Sequence, residues 1–311
     1  MSVSAGKPDW IRVRAPGGEK YAFLRDTLRR LDLHTVCAEA RCPNVGDCWS
    51  KGAATVMVLG DVCTRGCRFC AVTSGHPGGV YDEQEPERVA LAIKEVGLNY
   101  VVLTMVTRDD LPDGGAARVA DTVTRIRACS SSVLVETLVS DFGGNSISID
   151  TIVERARPDV YAHNVEVVPR LQSSMRDVRC SWERSLQTLR RAGQAGAKLT
   201  KSSLMVGCGE TDQEVFDAMG KLRDAGVDIL TIGQYLRPTA RHAPVERYVT
   251  PERFDDYREA GLQMGFKHVT SGPLVRSSYR AAEAYLHAMH NRLTNTPANR
   301  AGSERPAEVV E

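Results

Sequence analysis

The sequence is short of net charge, of long apolar runs and of aromatic residues. Its 40 lysines and arginines nearly cancel its 39 aspartates and glutamates. A chain so balanced has no strong field to draw in nucleic acid or an anionic membrane, and neither is expected as a partner. No apolar run approaches the roughly 20 residues that span a bilayer. Met1 to Ala15 lacks the apolar core and cleavage pattern of a signal peptide. A cytoplasmic location is the expectation, with thiols kept reduced. Aromatic residues are only 6% of the chain against 42% hydrophobic overall, which suits a globular chain with an aliphatic core. The 311 residues fit two domains of roughly 150 residues each, or one α/β barrel.

Cysteine, by contrast, is concentrated. Six of the nine cysteines fall in two tight triplets near the N-terminus. In a reducing compartment, clustered thiols point to metal binding before disulfides.

Met1 to about Gly18 is punctuated by Gly, Pro and Lys and reads as an extended or loosely docked arm. Leu24, Leu28 and Leu31 predict a short amphipathic helix over 21–33. From Thr55 a strand–helix rhythm sets in. Apolar runs at 55–60, 100–106, 133–139, 160–165, 198–206 and 229–235 predict strands. Helical patterns at 86–96, 116–128, 149–157 and 182–195 lie between them. Thr211 and Glu214 form a capping box for a further helix that ends near Gly226. Thr250 and Pro251 open another as N-cap and first helical residue. The strands are continuously apolar, as in a parallel sheet covered on both faces. The fold class is α/β: a partial parallel (β/α) barrel of about six strands with N- and C-terminal extensions. An open doubly wound sheet is the competing topology. The expected division is 1–54 as an extension carrying the first cysteine triplet, 55–265 as the barrel and 266–292 as a C-terminal extension. The stretch 293–311, rich in Pro, Asn, Ala and Glu, reads as a disordered tail.

The second triplet, Cys63, Cys67 and Cys70, lies in DVCTRGCRFCAV. Its spacing lets one short loop present three thiolates to a cuboidal 4Fe–4S cluster, leaving one iron open to a small molecule. A zinc site is the alternative, but zinc prefers four ligands in two separated pairs. His76, close by in GHPGG, reads as a surface residue. The loop follows the first predicted strand, where barrel active sites are built. This motif, with Phe69 just before its last cysteine, resembles the signature of the radical S-adenosylmethionine (SAM) superfamily. The resemblance implies that the open iron chelates SAM and that one electron splits it to a 5′-deoxyadenosyl radical.

The first triplet, Cys37, Cys42 and Cys48, places three thiols in twelve residues among Arg, Pro, Asn and Asp. That is no core pattern, and a second cluster is its natural use. The paired triplets resemble the lipoyl synthase family. So do RDDLPDGGA at 108–116, AHNVEVVPR at 162–170, TKSSLMVGCGET at 200–211, the stretch 233–254 and GPLVRSSY at 272–279. The resemblance covers roughly Trp10 to Tyr285. Arg253 stands where the family pattern suggests Glu, and Cys208 where it suggests an apolar residue. The family places the fourth ligand of its auxiliary cluster on a serine of RSSY, here Ser278, with Ser277 as the alternative. Oxygen is a harder and weaker ligand for these irons than thiolate. Without the resemblance, RSSY reads as a helix N-cap.

Other residues carry weaker signals. Leu204–Glu210 resembles the segment near the adenosine of SAM in related barrels, where Gly207 and Gly209 would let backbone approach and Glu210 stands beside them. A plain strand-to-helix turn explains the same glycines. His163 and Asn164 end a predicted strand at the expected site mouth, or form a satisfied core pair. Arg237, Arg241 and His242 form a basic loop that could hold the SAM carboxylate, meet an acidic carrier domain, or be solvated. Asp109, Asp110 and Asp113 read as a turn that caps the next helix. Cys129, Cys180 and Cys208 read as packing or surface thiols.

The resemblance implies sulfur insertion at C6 and C8 of an octanoyl-lysine. Two 4Fe–4S clusters would serve it, and two SAM molecules would be consumed per lipoyl group. The implied partners are octanoylated lipoyl carrier domains (E2 subunits or the glycine-cleavage H protein), a flavodoxin or ferredoxin as reductant, and an iron–sulfur carrier for cluster repair. A biotin-synthase-like sulfur inserter is the nearest alternative, and an iron–sulfur electron carrier the alternative from another class.

Overall fold

The structure, a computed structural model, describes residues 7–12, 17–40, 42–50 and 53–294. The tail expected from 293 lies outside these residues from 295 onward; 293 and 294 complete the last helix, Ala281–Thr294. Much of the expected arm also lies outside them. Its described part makes one 3-10 turn, Asp9–Ile11, with Ile11 buried.

Among the described residues ten strands form: β1 (His34–Thr35), β2 (Thr55–Val58), β3 (Val62–Cys63), β4 (Thr73–Ser74) and β5 (Tyr100–Met105), then β6 (Leu134–Leu138), β7 (Val160–Ala162), β8 (Thr200–Val206), β9 (Ile229–Gln234) and β10 (His268–Gly272). β3 and β4 pair with each other. The others form one sheet in the order β1-β2-β5-β6-β7-β8-β9-β10. Every pairing from β2 to β10 is parallel, and β1 adds antiparallel to β2. Helices cover the outer face, which is why Val56, Val58, Leu103 and Val135 are all buried. The parallel strands number seven rather than the expected six. β10 escaped notice because HVTSG is mostly polar; as an edge strand it buries only Val269. The sheet therefore continues beyond residue 265.

The helices follow their local signals. The Thr211–Glu214 capping box is present and opens Asp212–Asp224. Thr250 caps Pro251–Gln263 through Arg253 N. The helix expected at 149–157 differs. Asn145 caps it early through Ile147 N and Ser148 N, giving Ser146–Asp150, and it widens into a π-helical stretch, Thr151–Ala156.

The barrel is not closed. Among the described residues β10 pairs only with β9, so a seam is left between β10 and β2. The chain after β10 runs along this seam. Val275 O comes so near β9 that a Cβ on Gly233 would lie 2.0 Å from it, so glycine is required there. Further on, Ser278 meets Thr55 of β2. The final helix then packs Ala284, Tyr285 and Ala288 on Val160, Leu199 and Ile229, at the strands' N-terminal ends. Above it, Lys201 Nζ bonds both Glu136 oxygens at 2.8 and 3.0 Å, and Tyr100 OH donates to Oε2 at 2.8 Å. One end of the barrel is thus plugged, and the site lies at the other.

Candidate active site

The loop after β2 carries the second triplet. Glu85 takes Leu59 N at 2.8 Å and Gly60 N at 3.4 Å, fixing the turn out of the strand. Burial pushes its carboxyl up. Within the loop, Cys70 N bonds Cys67 O at 3.1 Å. Arg65 N donates to Cys63 Sγ at 3.4 Å, and Asp177 N to Cys67 Sγ at 3.3 Å. Arg68 N bonds Met175 O, Gly66 N bonds Asp177 Oδ2, and His242 Nε2 meets Cys70 O. Helix and loop segments far apart in sequence thus hold the cysteine loop in place.

Arg65, between Cys63 and Cys67, is the main brace. Only 5% of it is exposed. It forks onto Asp109 at 3.0 and 2.9 Å and reaches Asp141 Oδ1 at 2.6 Å. Asp141 is fully buried; desolvation pushes its carboxyl up, but the hydrogen bond and charge of Arg65, together with Gly143 N, hold it low. The expected role of the aspartates after Arg108 is therefore corrected. Only Asp113 caps the next helix, through Gly115 N and Ala117 N. Asp110 binds Arg108, and Asp109 braces the cysteine loop.

A cavity of about 570 Å³ opens at the strands' C-terminal ends. Cys63, Cys67, Phe69 and Cys70 line one side of it. Val275, Arg276 and Ser277 line it too, as do Val36, Ala40 and Pro43 from around the first triplet. His163, Asn164 and Arg237 also reach the wall. His163 is buried, its Nδ1 on Val139 O at 2.8 Å and its Nε2 on Ser185 Oγ at 3.0 Å. Burial drops its pKa to about 4. Both ring nitrogens are thus spent on protein partners, as in a satisfied core histidine. Arg237 spends Nε on His242 O at 2.9 Å and Nη2 on Ala240 O, within its own loop.

Gly207, Gly209 and Glu210 are not among the lining residues. Gly207 has φ +93°, and a Cβ on it would lie 2.1 Å from Gln234 Nε2. Glu210 closes the turn through Gly207 N and Cys208 N at 2.7 and 2.9 Å. These residues build the strand-to-helix turn.

Sequence reasoning passed over Glu166 and Arg176, and read Cys180 only as a packing or surface thiol. Glu166 sits at φ +68° and bridges to Leu204. It lines the cavity, and desolvation pushes its carboxyl up. Arg176 is buried, with Nε unpartnered. Cys129 is exposed and Cys208 buried, as expected of surface and packing thiols. Cys180 is neither. It lines the cavity in hydrogen-bonding contact with Cys67, and Arg65 Nη1 lies 3.3 Å from its sulfur. That bond from Cys67, with Arg176 and Arg65 nearby, holds Cys180 below an ordinary thiol and raises Cys67. In the sequence nothing marked it beyond its being a cysteine outside the triplets.

The first triplet straddles two short helices. Cys37 lies in Val36–Glu39, capped by Thr35, and Cys48 in Val45–Ser50. Cys42 N bonds Cys37 O at 3.0 Å between them. The three pack with Leu24, Leu28 and Trp49. The C-terminal segment docks here. Asn44 Nδ2 donates to Leu274 O at 2.6 Å, and Arg276, half-buried, lies near Cys42. Burial pushes the Cys42 thiol up, and burial raises Cys70 to about 11. Ser278 Oγ accepts from Thr55 Oγ1 at 2.8 Å, while Ser277 lines the cavity.

All nine cysteines are free thiols. Among the described residues no three His, Cys, Asp or Glu side chains converge on a point that would hold a single ion. A cuboidal cluster instead asks for thiolates spread over its corners, and bound iron deprotonates the thiols that coordinate it. The donor set fits iron–sulfur clusters.

The Radical SAM superfamily pattern matches residues 57–222, and that of the N-terminal domain of lipoyl synthase of the Radical SAM family matches 4–42. A lipoyl synthase of Sorangium cellulosum (strain So ce56) is 57% identical over 307 residues, 94% of this chain and 82% of that one. One of Anaeromyxobacter sp. (strain Fw109-5) is 55% identical over 286 residues, 91% of this chain and 96% of its own. The chain belongs to the lipoyl synthase family. Its membership carries a sulfur-inserting radical SAM activity, with an iron–sulfur cluster and SAM as cofactors. The fold agrees. The FeFe-hydrogenase maturase HydG from Carboxydothermus hydrogenoformans superposes with TM-score 0.56 at 14% identity, over 76% of this chain and 56% of its own. Lipoyl synthases work on octanoylated carrier proteins with an external reductant. Among the described residues no helix is long and apolar enough to cross a membrane.

Proposed function

We propose that this lipoyl synthase inserts sulfur at C6 and C8 of a protein-bound octanoyl-lysine, using two 4Fe–4S clusters and two SAM molecules per lipoyl group. One observation carries the reading: a single cavity of about 570 Å³ has Cys63, Cys67 and Cys70 in its wall together with the Val275–Ser277 segment that docks on the first triplet.

Cys63, Cys67 and Cys70 would hold the cluster that binds SAM; Cys37, Cys42 and Cys48 would hold the second, with Ser278 as fourth ligand. When bound, these groups supply the radical that activates C–H bonds and the sulfur that replaces hydrogen. The protein's part is to position and to enclose. Arg65, Asp109 and Asp141 fix the cysteine loop. Phe69 and the apolar ends of β5, β6 and β8 give an acyl chain a dry wall that suppresses side reactions. Thr55 Oγ1–H donates to Ser278 Oγ; a hydrogen bond to that oxygen favours its deprotonated form. The exposed Arg241 and its basic loop, beside Arg237 at the cavity rim, suit an acidic carrier surface such as an E2 lipoyl domain or H protein. A flavodoxin or ferredoxin would supply electrons, and an iron–sulfur carrier would rebuild the second cluster.

The test is anaerobic turnover of the reconstituted protein with SAM, dithionite and an octanoyl-lysine peptide. Lipoyl-lysine is the expected product. 5′-Deoxyadenosine without sulfur transfer would refute the proposal.

A further inference from the structure

Cys180 has no part in the proposed reaction, yet Arg65, two residues before Cys67, reaches its sulfur with Nη1 at 3.3 Å. The two segments that carry these thiols are tied together. Arg68 N bonds Met175 O at 2.8 Å, Gly66 N bonds Asp177 Oδ2 at 2.8 Å, and Asp177 N donates to Cys67 Sγ at 3.3 Å. Cys180 N in turn bonds Asp177 O at 2.8 Å. The thiols cannot drift apart without breaking these bonds. Both also line the cavity, so a small oxidant can reach them. Thiols whose segments share Asp177 in this way lie close enough for side-chain rotation to bring them to bonding geometry.

We infer that Cys67 and Cys180 are a redox pair: when the SAM-binding site holds no cluster, a low-molecular-weight disulfide links them, and the link blocks cluster assembly until a thiol reduces it. The inference rests on the reading of Cys67 as a cluster ligand. The chemistry is ordinary exchange. The Cys180 sulfur attacks one sulfur of the oxidant, whose S–S bond breaks and releases one thiol. Cys67 then attacks the Cys180 sulfur and displaces the second thiol. One disulfide forms and one is lost, and the two cysteine protons end on the released thiols. A disulfide sulfur is no thiolate, so the loop is left with two ligands where three are needed.

Cys63 and Cys70 are the competitors within the loop. Cys180 is set apart from them by Asp177, whose N–H donates to Cys67 Sγ and whose carbonyl takes Cys180 N. The outcome therefore distinguishes a built pair from random oxidation.

The experiment treats the full chain, stripped of iron and then incubated with glutathione disulfide, and maps its disulfides by peptide mass spectrometry. The expected result is a dominant Cys67–Cys180 crosslink. On anaerobic addition of iron and sulfide, the oxidised chain takes up about four iron fewer than the reduced chain, one 4Fe–4S cluster's worth. Dithiothreitol restores the difference. In Cys180→Ser the same treatment leaves Cys67 as a glutathione adduct. Dominant Cys63–Cys67 or Cys67–Cys70 links, or full iron uptake by crosslinked chain, would overturn the inference. Cys67→Ala is loaded alongside. Full iron content in that variant would overturn the ligand reading instead, while leaving the crosslink result to stand or fall separately.

Discussion

Thr55 Oγ1 donates to Ser278 Oγ at 2.8 Å, across 223 residues of sequence and across the open seam of the barrel. The bond joins the first parallel strand to the segment that runs beside the first cysteine triplet. Its loss should be felt at the second cluster more than in overall stability. Thr55→Val is expected to cost about 0.5–1.5 kcal/mol in unfolding. It should also speed loss of second-cluster iron to a chelator several-fold, and Thr55→Ser should restore retention. Equal chelation rates for wild type and Thr55→Val would mean the bond only closes the seam.

With Ser278 as the proposed fourth ligand, its oxygen would be a mismatch among three thiolates and should be the ligand released when the cluster gives up sulfur. Ser278→Cys should keep its iron and cleave SAM, yet stall at or before the first sulfur insertion. Single-turnover product analysis reads this directly, as octanoyl, mono-thiolated or lipoyl peptide. A near-normal lipoyl yield would leave Ser278 as an anchor and nothing more.

Arg65 joins the cysteine loop to Asp109 and to fully buried Asp141. Arg65→Met leaves a buried carboxylate without its partner and should destabilise the cluster-free chain by about 3–5 kcal/mol. Arg65→Lys keeps the charge but not the fork and should fall between. Urea unfolding of the three proteins settles the matter; a variant within about 0.5 kcal/mol of wild type would show that the pair is not a brace.

His163 gives a pH signature. Burial, then Arg176, drops its pKa to about 4 from the usual 6.5. Above pH 6.5 folded and unfolded chains both carry it neutral, and its stabilisation is fully present. Between pH 6.5 and 4 only the unfolded chain takes the proton, so stability falls by up to about 3 kcal/mol. His268, lowered to about 4 chiefly by burial, adds to the loss in the same window. His163→Asn should be weaker than wild type at pH 7.5, with the gap narrowing toward pH 4. A gap independent of pH would contradict the buried neutral state.

Much of this was legible in the sequence because the signals are local. Continuous apolar strands, the Thr211 capping box and the cysteine spacings each lie within a dozen residues. β10 was not, since an edge strand needs little apolar character. Cys180, Arg176 and Glu166 were not, because each matters through a neighbour that only the sheet topology brings near. The Gly207–Glu210 segment shows a local signal with a tertiary cause: Gly207 is hemmed in by Gln234 and the Arg247 carbonyl, which lie far off in sequence. The docking of Leu274 and Arg276 on the first triplet was anticipated through the family resemblance alone.

The central claim is that the two cysteine triplets divide the work within one cavity. It is tested most directly by Cys42→Ala, reconstituted and turned over with SAM, dithionite and octanoyl-lysine peptide beside wild type. Wild type should give 5′-deoxyadenosine and lipoyl-lysine. Cys42→Ala should still give 5′-deoxyadenosine but no sulfur-containing peptide. Lipoyl-lysine from Cys42→Ala would contradict the account.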